Sequence, residues 1–261
     1  QGNLRWRHRV RRGIGGAVYR SSGKKSGGKG GRRGRGLTGR NMRVRVKTAR
    51  GRKSSSTRWL DRQLNDPYVH EARKQGYGSR AAFKLLQLDD RFGFLARGQR
   101  VVDLGAAPGG WTQIVVERTG PAGSDGKVVA IDIQEMEPLA GAETLVLDIC
   151  ASDAPGRLRA ALGGTADVVL SDMAAAVTGH KSTDHLRTMA LCEEAHVFAT
   201  ETLLDGGTLV MKAFAGGAHS DLMSAINKDF DNVRTVKPDA SRPESPETYI
   251  VAIGFRGRQK R

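Results

Sequence analysis

From Val101 onward, short apolar runs alternate with longer segments whose apolar residues recur at helical spacing. The runs predict strands at 101–104, 128–132, 145–148, 168–172, 207–213, 232–236 and 248–255. The periodic segments between them predict helices near 109–118, 153–162, 184–204 and 219–229. Two amphipathic helices, over 66–75 and 79–92, are expected ahead of the first strand. Runs such as VVAI and DVVLS lack polar alternation, so their strands should be covered on both faces, as in a doubly wound parallel sheet. The last two strands are joined by a polar loop, Lys237 to Thr248, with no helix, which predicts an antiparallel final pair. The expected fold is α/β and Rossmann-like: seven strands, mostly parallel with one antiparallel, and helices on both faces.

Charge divides the chain unevenly. Residues 1–58 hold 20 Lys and Arg and no acid, hence +20, whereas residues 59–261 set 23 bases against 27 acids, hence −4. The first segment is rich in Gly, Ser and Arg and poor in large apolar residues, so residues 1–57 are expected to be a disordered basic extension. Met42 to Lys47 is its one weakly strand-like stretch. Residues 58–255 are expected to form one domain of roughly 200 residues, followed by a short basic tail at 256–261. The extension suits contact with RNA phosphates through counterion release. A solubilising or targeting role, including that of an organellar transit peptide, fits the same composition.

No stretch nears the ~18–20 apolar residues of a membrane span, so no membrane partner is expected. Cys150 and Cys192 lie in apolar contexts without metal-ligand spacing, and both are expected to be buried, reduced thiols. A reducing compartment follows; a monomer in the bacterial cytoplasm without a metal site is expected, with the mitochondrial matrix as the lesser alternative. His180 and His185 are placed in a polar loop.

The segment Val101 to Trp111, VVDLGAAPGGW, joins a strand to a helix through Gly105, Gly109 and Gly110. Glycines let backbone approach a ligand, and the helix start offers free N–H groups. The G-x-x-x-G-G spacing, interrupted by Pro108, is not a dinucleotide fingerprint, and no Lys-Ser/Thr of a phosphate loop follows. A cofactor without a phosphate chain fits better, with S-adenosylmethionine the leading candidate. Four acids are expected at strand ends, Asp103, Asp132, Asp148 and Asp172, where ligands of open α/β sheets bind. Asp132, twenty-seven residues after Gly105, can accept from ribose hydroxyls, and Asp148 is placed toward an adenine edge. On the substrate side, Lys212 lies within the apolar run GTLVMKAF, a costly place for an amine unless it is paired or functional. Glu247 opens the last strand, and Lys84 lies in the helical segment SRAAFKLL.

Over roughly residues 54–255 the chain resembles the FtsJ/RrmJ family of ribosomal RNA 2′-O-methyltransferases. The similar blocks are SSSTRWLDRQLNDPYVHEA, SRAAFKLLQLDD, VVDLGAAPGGWTQ, SDMAAAVTG, VMKAF and KPDASRPESPETYIVA, in that order. The resemblance implies a catalytic tetrad of Lys84, Asp172, Lys212 and Glu247. It also implies S-adenosylmethionine contacts at Gly109, Trp111, Asp132, Asp148 and Asp172. The implied substrate is a uridine ribose in the A-loop of large-subunit ribosomal RNA, on the assembled subunit. One departure stands out: Ala175 and Ala176 occupy positions where the family commonly has Pro and Asn, so a contact of that Asn is missing or is supplied by Thr178 or His180.

Methyl transfer to a 2′-hydroxyl needs the oxygen oriented onto the methyl and its proton removed. Lys212 is the expected base, held by Asp172, with Lys84 and Glu247 positioning the ribose and a neighbouring phosphate. A transfer RNA ribose methyltransferase and a non-catalytic ribosome-assembly RNA-binding protein are the alternatives.

Overall fold

Consecutive residues of the central strands bury on opposite sides of one sheet. In the computed structural model, Val101, Val128, Val168 and Val210 belong to one core. Their chain neighbours Val102, Val129, Val169 and Leu209 belong to the other. Side chains alternate along a strand, so an uninterrupted apolar run leaves both faces needing cover. Helices supply it on both sides. The structure describes residues 54–120, 126–175, 178–214 and 220–257. The chain divides into units 1–35 and 36–261, and the described residues fall in the second.

The elements run α1 (Ser54–Asn65), α2 (Pro67–Gln75), α3 (Ala82–Phe92), β1 (Arg100–Leu104), α4 (Gly110–Thr119), β2 (Lys127–Asp132), β3 (Glu143–Val146) and α5 (Ala154–Leu162). They continue as β4 (Ala166–Ser171), α6 (Lys181–Thr202), β5 (Leu203–Phe214), α7 (Ser220–Asp229), β6 (Phe230–Val236) and β7 (Glu247–Phe255). One seven-stranded sheet has the order β3-β2-β1-β4-β5-β7-β6. The pairs β1–β2, β1–β4, β2–β3 and β4–β5 are parallel, whereas β7 runs antiparallel to both β5 and β6. The Rossmann-like methyltransferase-type sheet with one reversed strand is thus present as expected.

Residues of α3 and α4, such as Leu85, Leu88, Trp111 and Ile114, pack on the face of Val101 and Val210. Those of α5, α6 and α7, such as Leu158, Phe198 and Ile226, pack on the face of Val102 and Leu209. Burying one such aliphatic side chain contributes about 1.5–3 kcal/mol.

Several expectations need correction. The third strand ends at Val146, not at 148, so Asp148 lies in the loop beyond it. Asp103 lies inside β1 and not at its end: it is fully buried and accepts from the Thr112 hydroxyl of α4 at 2.7 Å. Cys150 is exposed, because the Asp148 carboxylate accepts from the Cys150 N–H at 3.0 Å and turns the chain outward; Cys192 alone is buried. His185 lies in α6, with His180 at its N-cap. Helix α1 begins at Ser54, inside the segment read as extension. The disorder expected of the rest of that segment, and Ala176 of the departure noted above, lie outside the described residues, as does most of the C-terminal tail. Among the described residues no helix is long and apolar enough to cross a membrane.

Candidate active site

The carboxyl ends of β1, β2 and β4 open onto a cleft of about 590 Å³. Its walls include Gly105, Asp132, Ile133, Asp148, Ile149 and Asp172. Gly105 must be glycine: at φ +75° it is in the left-handed region, and a Cβ there would meet Met173 at 2.6 Å. Asp132 closes β2. One carboxylate oxygen accepts from the Ala107 N–H at 3.0 Å and the other from the Gln134 N–H at 2.8 Å. The acid therefore ties the glycine turn to its own strand, and each oxygen keeps a lone pair for a further donor. Asp148 engages the Cys150 N–H through one of its two oxygens. The aliphatic Ile133, 69% exposed, and Ile149 give the cleft apolar walls beside these acids.

Next to the cleft, side chains distant in sequence form one continuous network. Strand parity sets most of it. Asp172, Lys212 and Glu247 have the same parity as Leu170, Val210 and Tyr249, which face α3 and α4. Register places Lys212 directly opposite Tyr249 on the antiparallel neighbour. Helix α3 packs on that face and delivers Lys84. The Lys84 amine is 2.8 Å from each Glu247 oxygen and donates to the Tyr249 hydroxyl at 3.0 Å. That hydroxyl donates to Asp172 Oδ1 at 2.7 Å. Lys212 Nζ lies 3.2 Å from the same oxygen and donates to the Asp172 carbonyl at 2.6 Å. Glu247 is further held by the Ser241 hydroxyl at 2.7 Å. Lys84 and Lys212 are only 9% and 7% exposed, yet both amines have anionic partners, as buried charges require.

Electrostatics follow from this packing. Burial alone would raise the Asp172 carboxyl, but the charges of Lys212 and Lys84 and the hydrogen bonds from Tyr249 and Lys212 outweigh it and hold the group below its usual value. Burial, then the charges of Asp172 and Glu247, push the Tyr249 phenol well up, so it stays a protonated donor. Cys192 donates its S–H to the Lys212 carbonyl at 3.1 Å, and burial raises its thiol to about 12, so it is an inert packing group.

Of the residues singled out from sequence, Lys84, Asp172, Lys212 and Glu247 meet in the network, and Asp132, Asp148 and Asp172 line the cleft. Gly109 and Trp111 are not among the lining residues. Gly109 starts α4 at φ +96°. The Trp111 indole is buried, donates to the Ala81 carbonyl at 2.9 Å and lies 5.7 Å from the Tyr249 ring, so it fixes α4 and α3 around the network. Asp103 is not among the residues that line the cleft, and its burial raises the carboxyl to about 7. Sequence reasoning missed Tyr249 and Ser241. The signal for Tyr249 was its place two residues after Glu247, hence on the same face, as the one aromatic hydroxyl in the strand. Thr178, considered as a stand-in for the missing Asn, donates through N–H and hydroxyl to Asp184 at 2.7 and 2.6 Å and so closes the start of α6. Among the described residues, no cluster of three His, Cys, Asp or Glu is arranged to hold a metal.

Comparison with known proteins agrees with this geometry. The FtsJ-like methyltransferase family matches residues 77–255, which contain Lys84, Asp172, Lys212, Glu247 and Tyr249. A protein named ribosomal RNA large subunit methyltransferase E from Paramagnetospirillum magneticum is 62% identical over 221 residues, covering 84% of this chain and 90% of its own length. Its namesake from Cereibacter sphaeroides is 57% identical over 224 residues, covering 84% and 92%. A crystal structure from Plasmodium falciparum, of a protein described as a ribosomal RNA methyltransferase, superposes with a TM-score of 0.62 at 28% identity, covering 70% of this chain and all of that one. With its sheet, its strand-end cleft and its buried lysine–carboxylate network, the chain belongs to the FtsJ-like methyltransferase family.

Proposed function

We propose that this enzyme transfers the methyl group of S-adenosylmethionine to the 2′-hydroxyl of a uridine ribose in the A-loop of large-subunit ribosomal RNA, on the assembled subunit. The observation that carries the chemistry is the Lys212 amine held by two oxygens of Asp172 beside the cleft. The names of relatives up to 62% identical support the ribosomal substrate.

The cleft suits this cofactor. Asp132 offers carboxylate lone pairs to vicinal hydroxyls, Ile133 and Ile149 offer apolar walls to a purine ring, and Asp172 brings negative charge to the network end, where a sulfonium belongs. Backbone at Gly105 is left bare by the absence of a side chain that could not fit there. When bound, S-adenosylmethionine supplies an electrophilic methyl group on a positively charged sulfur.

The chain's own residues do the rest. Once the Lys212 ammonium has released one of its three protons to solvent, the amine keeps two N–H donors and gains one lone pair. At Lys212 the Asp172 carboxylate and carbonyl oxygens are two acceptors for those donors, which leaves the lone pair for the ribose hydroxyl proton. Asp172 thereby orients the base and stabilises the ammonium that forms once the proton arrives. Lys84 and Glu247, locked by Tyr249 and Ser241, present a rigid polar edge that positions the ribose.

Purified large subunits from a strain lacking the enzyme should accept a labelled methyl group, with one new 2′-O-methyl uridine mapped in the A-loop. Free transfer RNA should not. Labelling of transfer RNA in place of subunits would overturn the substrate assignment.

A further inference from the structure

The segment from Gly76 to Ala81, which joins α2 to the helix of Lys84, lies across the glycine turn of the cleft. Gly78 rests on that turn: a Cβ there would meet the Pro108 carbonyl oxygen at 2.5 Å. Helix α4, which opens at the end of the same turn, holds the segment with three side chains. Gln113, in its first turn, clamps the backbone at two points. Its Oε1 accepts from the Gly78 N–H at 2.7 Å, and its Nε2 donates to the Gly76 carbonyl at 3.1 Å. One turn on, Glu117 accepts from the Tyr77 hydroxyl at 3.1 Å. Trp111 closes the far end at the Ala81 carbonyl, which also accepts the Lys84 N–H at 2.9 Å.

The first residues of α4 therefore fix two things at once: the turn beside the cleft and the start of α3. Lys84 has no slack with which to absorb a shift. It is buried, and the three N–H bonds of its ammonium are matched by both Glu247 oxygens and the Tyr249 hydroxyl. A displaced 76–81 segment would carry Lys84, and the carboxylate it grips, away from the methyl donor. Misplacement of reacting groups by about 1 Å can cost 10²-fold in rate.

We propose that Gln113 is a positioning residue for methyl transfer, setting the distance between the cofactor turn and Lys84. It does not line the cleft, so it acts through the segment that it clamps. The inference rests on the place of Lys84 in the site proposed above and deepens it. Gln99 supplies a matched comparison. Its side chain makes the same pair of bonds, accepting from the Ala96 N–H at 2.7 Å and donating to the Phe94 carbonyl at 3.2 Å. It makes them just before the amino end of β1, whereas the cleft lies at the carboxyl end.

Single-turnover transfer to the RNA that the wild type labels, with the full chain, tests this. Gln113→Ala should lower the rate about tenfold, the cost of one to two neutral hydrogen bonds, with cofactor Kd unchanged. Gln99→Ala, which breaks the same kind of clamp, should leave the rate unchanged. In a Lys84→Ala background, Gln113→Ala should lower the rate no further, because two residues acting as one unit do not add. A wild-type rate for Gln113→Ala, an equal loss for Gln99→Ala, or the same loss in both backgrounds would overturn the proposal. With a slow Lys84→Ala enzyme, those results remove Gln113 alone and leave the site standing. Full transfer by Lys84→Ala would instead remove Lys84 from the site, and the role of Gln113 with it.

Discussion

The Tyr249 hydroxyl stands between two charges, accepting from Lys84 at 3.0 Å and donating to Asp172 at 2.7 Å. Among the described residues it is the one neutral group that joins the Lys84–Glu247 pair to the Asp172–Lys212 pair. Tyr249→Phe keeps the buried ring against Trp111 and removes only the bridge. Turnover should fall about tenfold to a hundredfold, the cost of removing a hydrogen bond to a charged group, with cofactor affinity unchanged. Steady-state kinetics alongside calorimetric titration of the cofactor would check this. Normal turnover in the variant would make the bridge incidental.

Lys212→Ala should lower the transfer rate by about 10²–10⁴, the usual contribution of a positioned general base. Lys212→Arg should fail as well, because a guanidinium stays protonated and cannot take the hydroxyl proton. Both should bind cofactor almost as the wild type does. Single-turnover methyl transfer is the measurement, and an active Arg variant would exclude the base role.

Asp132→Ala should weaken cofactor binding by about tenfold or more, because charge-assisted hydrogen bonds disappear with the carboxylate. Asp153→Ala should not. Asp153 sits at the N-cap of α5 without a capping bond and pairs only with Arg157 at 3.7 Å on the surface. Equal affinities for the two variants in calorimetry would count against the cleft as the cofactor site.

Asp103 predicts a pH signature. Its carboxyl is raised from 3.8 to about 7, first by burial and further by the charges of Asp172 and Asp132. Between these values the folded chain holds a proton that the unfolded chain has released, so this group's contribution to stability falls as pH rises through the window and levels off above it. Asp103→Asn carries no such charge. Its melting temperature relative to wild type should therefore climb between pH 4 and pH 7. A difference independent of pH would show that Asp103 is ionised throughout.

Deleting residues 1–53 removes most of the 20 positive charges of the first segment. We expect cofactor affinity to persist and RNA association to weaken. The log–log salt slope should become shallower by about 0.7 for each single-strand phosphate that the segment neutralises. Identical slopes for both forms would assign the segment a role other than RNA binding.

Much of this arrangement is set along the chain itself. Alternation with period two sets Asp172 on the face of Leu170, Lys212 on that of Val210 and Glu247 on that of Tyr249, whereas pairing and register in the sheet make those three faces one. Uninterrupted apolar runs already require helices on both faces, and the glycine turn already marks the cleft. What the sequence could not decide is depth and partner. Asp103, Asp132 and Asp148 look alike as acids closing apolar runs. Only packing under Thr112 buries the first, and only the early end of β3 moves the third into a loop. Nor could it place Lys84, whose helical surroundings resemble those of any solvated lysine. Its amine reaches Glu247, 163 residues away, because α3 packs on the same face as β7, and such a meeting depends on how elements dock and not on local spacing.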